Sequence, residues 1–203
     1  MHFGLSEEQQ MIVNTVRSFV ENEIYPYEDA VEKTGEVPEV VGQAIMEKSK
    51  KLGFYACNFP KEVGGAGLNH LEFALVEREL GRGSMALTHF FGRPQNILMA
   101  CKDSQIERYL LPDVRGEKMD ALAMTEPDAG SDVRSMKCSA VRDGGDWVLN
   151  GAKHFISGAE HADFAIVFVA TGEDKTPRGP KKRITTFLVD RGPPGFTIRA
   201  GYR

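Results

Sequence analysis

The sequence predicts an α+β chain of two domains, an all-α domain over residues 1–117 followed by an antiparallel, barrel-like β domain over residues 118–203. Apolar residues recur at helical spacing before about residue 118, whereas alternating and β-branched runs dominate after Gly116. Helical and strand-like segments do not alternate along the chain, which argues against a Rossmann-type nucleotide fold.

The first two helices are predicted from their end signals and from their apolar faces. Ser6 and Gln9 form a capping-box pattern, and the apolar residues that follow share one helical face until Pro26. A second helix is expected after Pro38, with Gly53 as its stop. The residues expected on the inner faces of these two helices are Ile12, Val13, Val16, Phe19, Val20, Ile24, Val40, Val41, Ala44, Ile45 and Leu52.

Three further helices are expected after residues 59–67, which must form a loop because they contain proline and several glycines. One helix should run from about Asn69 to Leu80, and another from about Gln95 to Cys101. A short helix should start near residue 103 or 104 and end before Pro112. The glycine cluster of the loop has neither a preceding strand nor a Gly-Lys-Ser/Thr ending, so it is not interpreted as a phosphate loop.

Six strands are predicted in the second domain from period-two patterns and β-branched residues. The segment Asp143-Gly144-Gly145-Asp146 is typical of a hairpin turn. Residues 171–183 are polar and rich in Lys, Arg, Gly and Pro, and they are expected to form a mobile loop. The predicted strands are residues 120–124, 137–142, 147–150, 164–171, 184–190 and 196–199.

Composition excludes several classes of function. The formal net charge of −4 gives no electrostatic reason to expect nucleic acid or an anionic membrane as a partner. No apolar stretch approaches the roughly 20 residues that span a bilayer, and the first residues lack a secretory signal. Cys57, Cys101 and Cys138 are read as reduced thiols of an intracellular protein, and the histidines show no metal-ligand spacing.

Four motifs occur in order along the chain. The first motif is FPKEVGG at residues 59–65, followed by ERELG at 77–81, and the second is YLLP at 109–112. The third is MTEPDAGSDV at 124–133, and the fourth is LNGAKHFISG at 149–158. With these motifs the chain resembles the acyl-CoA dehydrogenase family from end to end. It departs from the family pattern at Asp128, where glycine is commoner, and at Leu122, where an aromatic residue is frequent.

The resemblance implies an FAD site in the middle β domain. Short hydroxyls at Thr125 and Ser157 can donate to flavin atoms, and Ser157 stands where the family places its hydroxyl to flavin N5. The turn at residues 128–131 offers N–H groups to a phosphate. Ser131 is also expected to bind the thioester substrate. The cofactor-binding residues implied are Leu122, Met124, Thr125, Gly130, Ser131, Phe155, Ile156 and Ser157.

Less specific interpretations stand beside these roles. Glu126 is expected to hold its loop by accepting backbone N–H bonds rather than to act as an acid or base. Phe155, taken alone, would be a core-packing residue more often than a flavin contact. The run Lys181-Lys182-Arg183 is expected to be a solvated loop, with contact to acyl-CoA phosphates as the alternative.

The implied activity is FAD-dependent α,β-dehydrogenation of an acyl-CoA thioester to the trans-2-enoyl-CoA, as in fatty acid metabolism. Electron-transferring flavoprotein is the implied electron acceptor, and a homo-oligomer, either tetramer or dimer, is the implied assembly. The expected location is the bacterial cytoplasm or the mitochondrial matrix. The alternatives are a fold-related flavin oxidase or monooxygenase, and a non-catalytic domain that binds acyl-CoA or a partner.

No catalytic residue is expected within these 203 residues. In the family a glutamate of the C-terminal helical domain is the general base, and that position is expected beyond Arg203. The chain is therefore expected to be a truncated or natural fragment with an incomplete middle domain, and to be inactive by itself.

Overall fold

The computed structural model describes residues 4–177 and 179–199. The chain divides into two compact units, with the boundary between Glu117 and Lys118. The first unit is helical and the second is built on a β-sheet, which confirms the predicted α+β class. In the described residues no helix combines the length and the apolarity that a membrane crossing requires.

Six α-helices and five shorter helical segments make up the first unit. The α-helices are α1 Glu7–Phe19, α2 Tyr25–Thr34, α3 Glu39–Lys51, α4 His70–Leu80, α5 Met85–Thr88 and α6 Leu111–Val114. Two π-helical segments, Val20–Ile24 and Ile106–Leu110, and three 3₁₀ segments, Lys61–Val63, His89–Phe91 and Asn96–Ala100, complete the described helical residues of the unit.

Two prolines do not end helices, contrary to the prediction. Pro26 lies in the first turn of α2 and Pro112 in the first turn of α6. Proline is tolerated there because its missing N–H would have no partner in a first turn. A π-helical segment precedes each of these helices and joins it to the residues before it. The first predicted helix therefore continues to Thr34, and the fifth continues past Pro112.

The inward face of α3 also differs from the prediction. The helix buries Gly42, Ile45 and Ser49, whereas Val40 is 78% exposed and Leu52 is 45% exposed. Ala44 is exposed as well. The buried stripe includes a glycine because a Cβ at Gly42 would lie 2.6 Å from the ring of Phe90. A pattern of apolar residues alone misses a face on which glycine and serine provide the close contacts.

The other helical predictions were confirmed in part. Asn69 caps α4 with a capping box that includes Glu72, and α4 ends at the predicted Leu80. The segment predicted as a fourth helix is a 3₁₀ turn, Asn96–Ala100, and α5 was not predicted. The apolar core of this unit consists of Val16, Phe19, Val20, Ile24, Val31, Ile45, Cys57, Val76, Leu80, Leu87 and Phe91.

The second unit contains a five-stranded sheet and one 3₁₀ turn. The strands are β1 Asp120–Ala123, β2 Ser139–Asp143, β3 Asp146–Asn150, β4 Phe164–Thr176 and β5 Gly179–Asp190, and the 3₁₀ turn is Val133–Ser135. The hairpin turn predicted at residues 143–146 joins β2 to β3, with Gly144 at a φ of 58°. Residues 196–199, predicted as a strand, have irregular backbone.

The sheet is mixed, so the purely antiparallel prediction was wrong. β4 pairs antiparallel with β5, while β1 pairs parallel with β4 and β2 meets β4 in parallel at Ser139 and Ala170. In the described residues the sheet is open rather than closed into a barrel. The long connection from β1 to β4, which contains the β2–β3 hairpin, gives the chain enough length to return in the parallel direction.

Residues 171–176 and 179–183 are strand residues at the far end of β4 and β5 rather than the predicted loop. The antiparallel register continues to Thr176 and Gly179, with an irregularity between Ala170 and Gly172. Arg183 pairs with Asp174 across the two strands, both side chains being half exposed. Polar side chains do not prevent strand formation here because the cross-strand hydrogen bonds are made by the backbone groups that face the partner strand.

Candidate functional site

Two sequence motifs, MTEPDAGSDV and LNGAKHFISG, meet at one junction in the β unit. The backbone N–H of His154 donates to the carbonyl of Thr125 at 2.9 Å. The Lys153 ammonium donates to the carbonyl of Met124 at 3.0 Å and to Glu126 Oε1 at 2.8 Å. These bonds hold the segment that follows β1 beside the segment that precedes Phe155.

Glu126 is the buried centre of this junction. The residue is 5% exposed, and its carboxylate accepts hydrogen bonds from the backbone N–H groups of Lys137, at 2.6 Å, and Cys138, at 3.1 Å. Burial alone would raise the pKa of Glu126, but the bonds from Lys153 and the two amides outweigh it and lower the pKa to about 2. The prediction that Glu126 is structural is confirmed, and so acidic a carboxyl is a poor general base.

The turn after Glu126 is closed on itself. Glu126 and Ala129 exchange two backbone hydrogen bonds, at 3.0 and 3.2 Å. Gly130 and Ser131 then lie exposed, and a Cβ at Gly130 would meet no atom within 4 Å. Asp132 ends the turn by accepting the N–H of Arg134 at 3.2 Å. The outer face of the turn therefore has room for a ligand.

Phe155 presents its ring to solvent rather than to a core. The side chain is 70% exposed, and its ring stacks on that of His154 with centroids 3.7 Å apart. Its φ of 55° lies in the left-handed region, which is unusual for a large side chain. The bond from His154 N–H to Thr125 anchors the residue immediately before it. An exposed aromatic ring on a strained backbone is a feature found at binding sites.

The donors near this junction fit the polar edge of a flavin. In residues 4–177 and 179–199, no hydrogen bond involves the hydroxyls of Thr125, Ser131 or Ser157. The N–H groups of Thr125, Gly130 and Ser131 likewise have no acceptor within the described chain. A flavin requires donors for its carbonyls, ring nitrogens and pyrophosphate, and it requires an apolar surface against its ring. The unpaired donors are of the kind that the first requirement names, and the exposed Phe155 ring is of the kind that the second names.

The structure places the other predicted site residues in three positions. Met124 and Thr125 lie in the junction, whereas Gly130, Ser131, Ile156 and Ser157 lie outside its hydrogen bonds. Leu122 belongs to β1, where it is half-buried and in register with Ile166 of β4.

Sequence reasoning missed two residues that build the junction. Lys153 was read only as part of a motif, although its side chain is 9% exposed. Gly151 has a φ of 139°, and a Cβ there would lie 2.3 Å from Sγ of Cys138. Lysine and glycine are common in loops, so their residue types alone do not indicate a role. Only their positions within the motif LNGAKHFISG could have pointed to one.

Comparison with known proteins covers nearly the whole chain. Residues 6–117 match the family model for the N-terminal domain of acyl-CoA dehydrogenases, and residues 121–203 match the model for the middle domain.

Three curated relatives match over nearly all of the chain. 3-(Aryl)acrylate reductase of Clostridium sporogenes is 37% identical, covering 95% of this chain and 50% of the relative. Mitochondrial isovaleryl-CoA dehydrogenase of Pongo abelii is 35% identical, covering 96% and 46%. A subunit of the caffeyl-CoA reductase–Etf complex of Acetobacterium woodii is also 35% identical, covering 95% and 50%. The chain thus spans about half the length of the curated relatives it matches.

Two solved structures show the same fold. Acyl-CoA dehydrogenase from Geobacillus kaustophilus has a TM-score of 0.78 and 30% identity, covering 97% of this chain and 51% of that one. A glutaryl-CoA dehydrogenase from Mycobacterium smegmatis, solved in complex with FADH2, has a TM-score of 0.80 and 28% identity, covering 98% and 49%. The arrangement of a helical domain followed by a β domain is therefore shared with these enzymes.

Proposed function

We propose, because this chain belongs to the acyl-CoA dehydrogenase family, that it forms the flavin-binding and thioester-binding part of an FAD-dependent enzyme. That enzyme would dehydrogenate an acyl-CoA between its α- and β-carbons to give the trans-2-enoyl-CoA. The observation that carries the proposal is the junction at Thr125 and His154, which joins a residue with unpaired donors to the residue that precedes an exposed aromatic ring.

Each predicted site residue takes a role that suits its chemistry. Thr125 and Ser157 would donate hydroxyl hydrogen bonds to the flavin ring, and the Phe155 ring would cover part of its face. The N–H groups of Gly130 and Ser131 would bind the pyrophosphate, as backbone donors in tight turns do. The Ser131 hydroxyl would also meet the thioester. Leu122, Met124 and Ile156 would contribute apolar contact and backbone groups.

A bound flavin would accept the hydride from the β-carbon, and no amino-acid side chain can do this. The part of the described residues in that chemistry is to bind and orient. Glu126 holds the junction while ionised, and Thr125 and Ser157 are presented with their hydroxyls unpaired. The base that removes the α-proton is not assigned to Glu126, since its pKa of about 2 makes it a poor proton acceptor at neutral pH.

The proposed partners are an acyl-CoA substrate and an electron-transferring flavoprotein. The second is supported by the relative from Acetobacterium woodii, which is named as a subunit of a complex with Etf. A homo-oligomer, either tetramer or dimer, belongs to the same proposal.

A second candidate is the reverse reaction, reduction of an enoyl thioester at the same site. Two of the relatives are named as reductases, which favours it. The same bound flavin would serve either direction, because the potential of the electron partner decides which way the electrons flow.

The experiment that tests the proposal is a titration of the purified protein with FAD, followed by flavin fluorescence and absorbance. We expect binding near one FAD per chain, and weaker binding in Ser157→Ala by about 0.5–1.5 kcal/mol, the value of one neutral hydrogen bond. Ser104→Ala, an exposed serine in the helical unit, is the control and should bind FAD as the parent does.

Three results would speak against the proposal. A protein that binds no FAD would favour the non-catalytic alternative. Reduced flavin that is re-oxidised rapidly by oxygen would favour an oxidase or monooxygenase. Equal FAD affinity and equal reduction rate in the parent and Ser157→Ala would remove the role given to Ser157.

A further inference from the structure

Lys153 is the buried cation of the β unit's junction, and its surroundings are specific. Its side chain is 9% exposed, and its ammonium contacts two acceptors, Glu126 Oε1 at 2.8 Å and the Met124 carbonyl at 3.0 Å. The carboxylate that it meets is 4% exposed. Replacing both members of a buried ion pair by apolar residues of similar volume is often neutral for stability, so stability alone does not account for such a pair. A role in binding is therefore considered for Lys153.

The two groups that Lys153 contacts are on either side of Thr125. Lys153 holds the carbonyl of Met124, which belongs to the same peptide group as the Thr125 N–H. His154 holds the carbonyl of Thr125 itself. In the described part of the chain the Thr125 N–H and hydroxyl have no acceptor. A charged donor on a peptide carbonyl polarises that peptide and strengthens its N–H as a donor. Lys153 therefore both fixes and strengthens the donors of Thr125.

From this geometry we infer that Lys153 is a positioning residue for the flavin, acting through Thr125, and that Lys153 and Glu126 together set the flavin reduction potential. The inference rests on the proposed function, since it requires FAD at this junction. Lys153 contacts backbone and Glu126 rather than solvent, so its charge is screened little.

The two members of the pair should act on the potential with opposite signs. Reduction adds negative charge to the flavin, and a nearby cation favours that charge while a nearby anion opposes it. Removing the Lys153 charge should therefore lower the midpoint potential. Removing the Glu126 charge should raise it. A residue whose only role is to hold the loop together would weaken flavin binding without this reversal of sign.

The experiment compares Lys153→Met and Glu126→Gln with the parent protein, each loaded with FAD. It measures FAD affinity by fluorescence titration and the midpoint potential by dye-coupled reduction. Lys137→Met is the matched control, because Lys137 is 73% exposed and pairs only at the surface with Asp128. It loses the same charge from the segment before β2, on the other side of Glu126, but keeps its backbone N–H to Glu126.

We expect Lys153→Met to weaken FAD binding by about tenfold or more, as for loss of a charge-assisted hydrogen bond, and to lower the potential. Glu126→Gln should raise the potential, and Lys137→Met should change FAD affinity by less than about twofold. Affinity within about twofold of the parent in Lys153→Met, or shifts of the same sign in both variants, would overturn the inference.

Two further outcomes are also decisive. If Lys153→Met does not fold, the midpoint potential of the flavin in Glu126→Gln tests the inference. A raised potential supports the inference, and an unchanged or lowered potential contradicts it. If the parent protein binds no FAD, the proposed function itself is wrong. If the parent binds FAD and the variants match it in affinity and potential, only the inference about Lys153 and Glu126 is wrong.

Discussion

The backbone N–H of His154 donates a 2.9 Å hydrogen bond to the carbonyl oxygen of Thr125. This bond places the residue that precedes Phe155 against the residue that follows Met124. Two motifs that are far apart in sequence therefore share one junction, and the substitutions below separate what that junction contributes to stability from what it contributes to ligand binding.

Acid should destabilise the β unit through Glu126. Its pKa is about 2 in the folded chain against an ordinary value of 4.5, because the bonds from Lys153 and two amides outweigh its burial. The unfolded chain therefore takes up the proton first as pH falls. Ionised Glu126 contributes stability above about pH 4.5, on the order of 3 kcal/mol, and this is lost progressively towards pH 2.

Urea unfolding of the parent and Glu126→Gln between pH 7 and pH 3 measures that loss. The parent should lose stability faster than the variant over this range, since glutamine does not titrate. Parallel curves for the two proteins would show that the pKa of Glu126 is not depressed in the folded state.

Gly151 should not tolerate a side chain. Its φ of 139° strains any other residue, and an added Cβ would lie 2.3 Å from Sγ of Cys138. We expect Gly151→Ala to cost about 3 kcal/mol of unfolding free energy through overpacking and backbone strain. Gly144→Ala, in the open β2–β3 turn at a φ of 58°, should cost about 1 kcal/mol. Equal losses in the two variants, measured in urea, would contradict the close contact at Gly151.

Two replacements of Phe155 should separate the effect of its ring on FAD binding from the effect of its backbone conformation on stability. Phe155→Ala and Phe155→Gly both remove the exposed ring and should weaken FAD binding alike. Only glycine relieves the left-handed φ of 55°, so it should make the FAD-free protein about 1 kcal/mol more stable than alanine does. Thermal and urea unfolding give the stabilities, and fluorescence titration gives the affinities. An FAD affinity that is unchanged in both variants would remove Phe155 from the flavin site.

In the helical unit, Glu79 should matter more than either of its arginine partners. Glu79 is 2% exposed and accepts from Arg17 and Arg78, whose side chains are 41% and 54% exposed. Glu79→Gln should cost about 1–3 kcal/mol, since it weakens both charged bonds at a buried position. Arg17→Met should cost less than Glu79→Gln, because Arg78 still satisfies the carboxylate and the guanidinium is solvent-screened.

Glu47→Gln is the matched control for this pair. Glu47 is 60% exposed and pairs with Lys50 one turn along α3, so its loss should be within about 0.5 kcal/mol. A larger cost for Arg17→Met than for Glu79→Gln in urea unfolding would show that the arginine, rather than the buried carboxylate, is the critical member.

Local patterns predicted most elements but not their partners. The helix predicted from about Asn69 to Leu80 and the strands predicted at β1, β2 and β3 have ends within two residues of those in the structure. Strand direction was missed because the parallel pairing of β1 with β4 is decided between distant segments. Residues 171–183 were misread because their pairing depends on the backbone, while their polar side chains indicate a loop.

The site could be predicted as a set of motifs but not as an arrangement. The signature residues and the structural role of Glu126 followed from the motif and from simple hydrogen-bond reasoning. The contact of Lys153 with the Met124 carbonyl did not, since it depends on how the loop after β3 folds back. The left-handed conformation of Phe155 likewise has no signature in the side chain itself.

The unequal pairing of β4 has a consequence for how the β unit opens. Between Phe164 and Val167 this strand is paired on both edges, by β1 and β5, whereas from Gly172 to Thr176 its partner in the described residues is β5. Amide hydrogen exchange should therefore be slowest at the Phe164 end and quicken toward the Thr176 end. The far end of the ribbon can fray as a separate low-energy event, while the Phe164 end, which is paired on both edges, should open only together with its neighbouring strands.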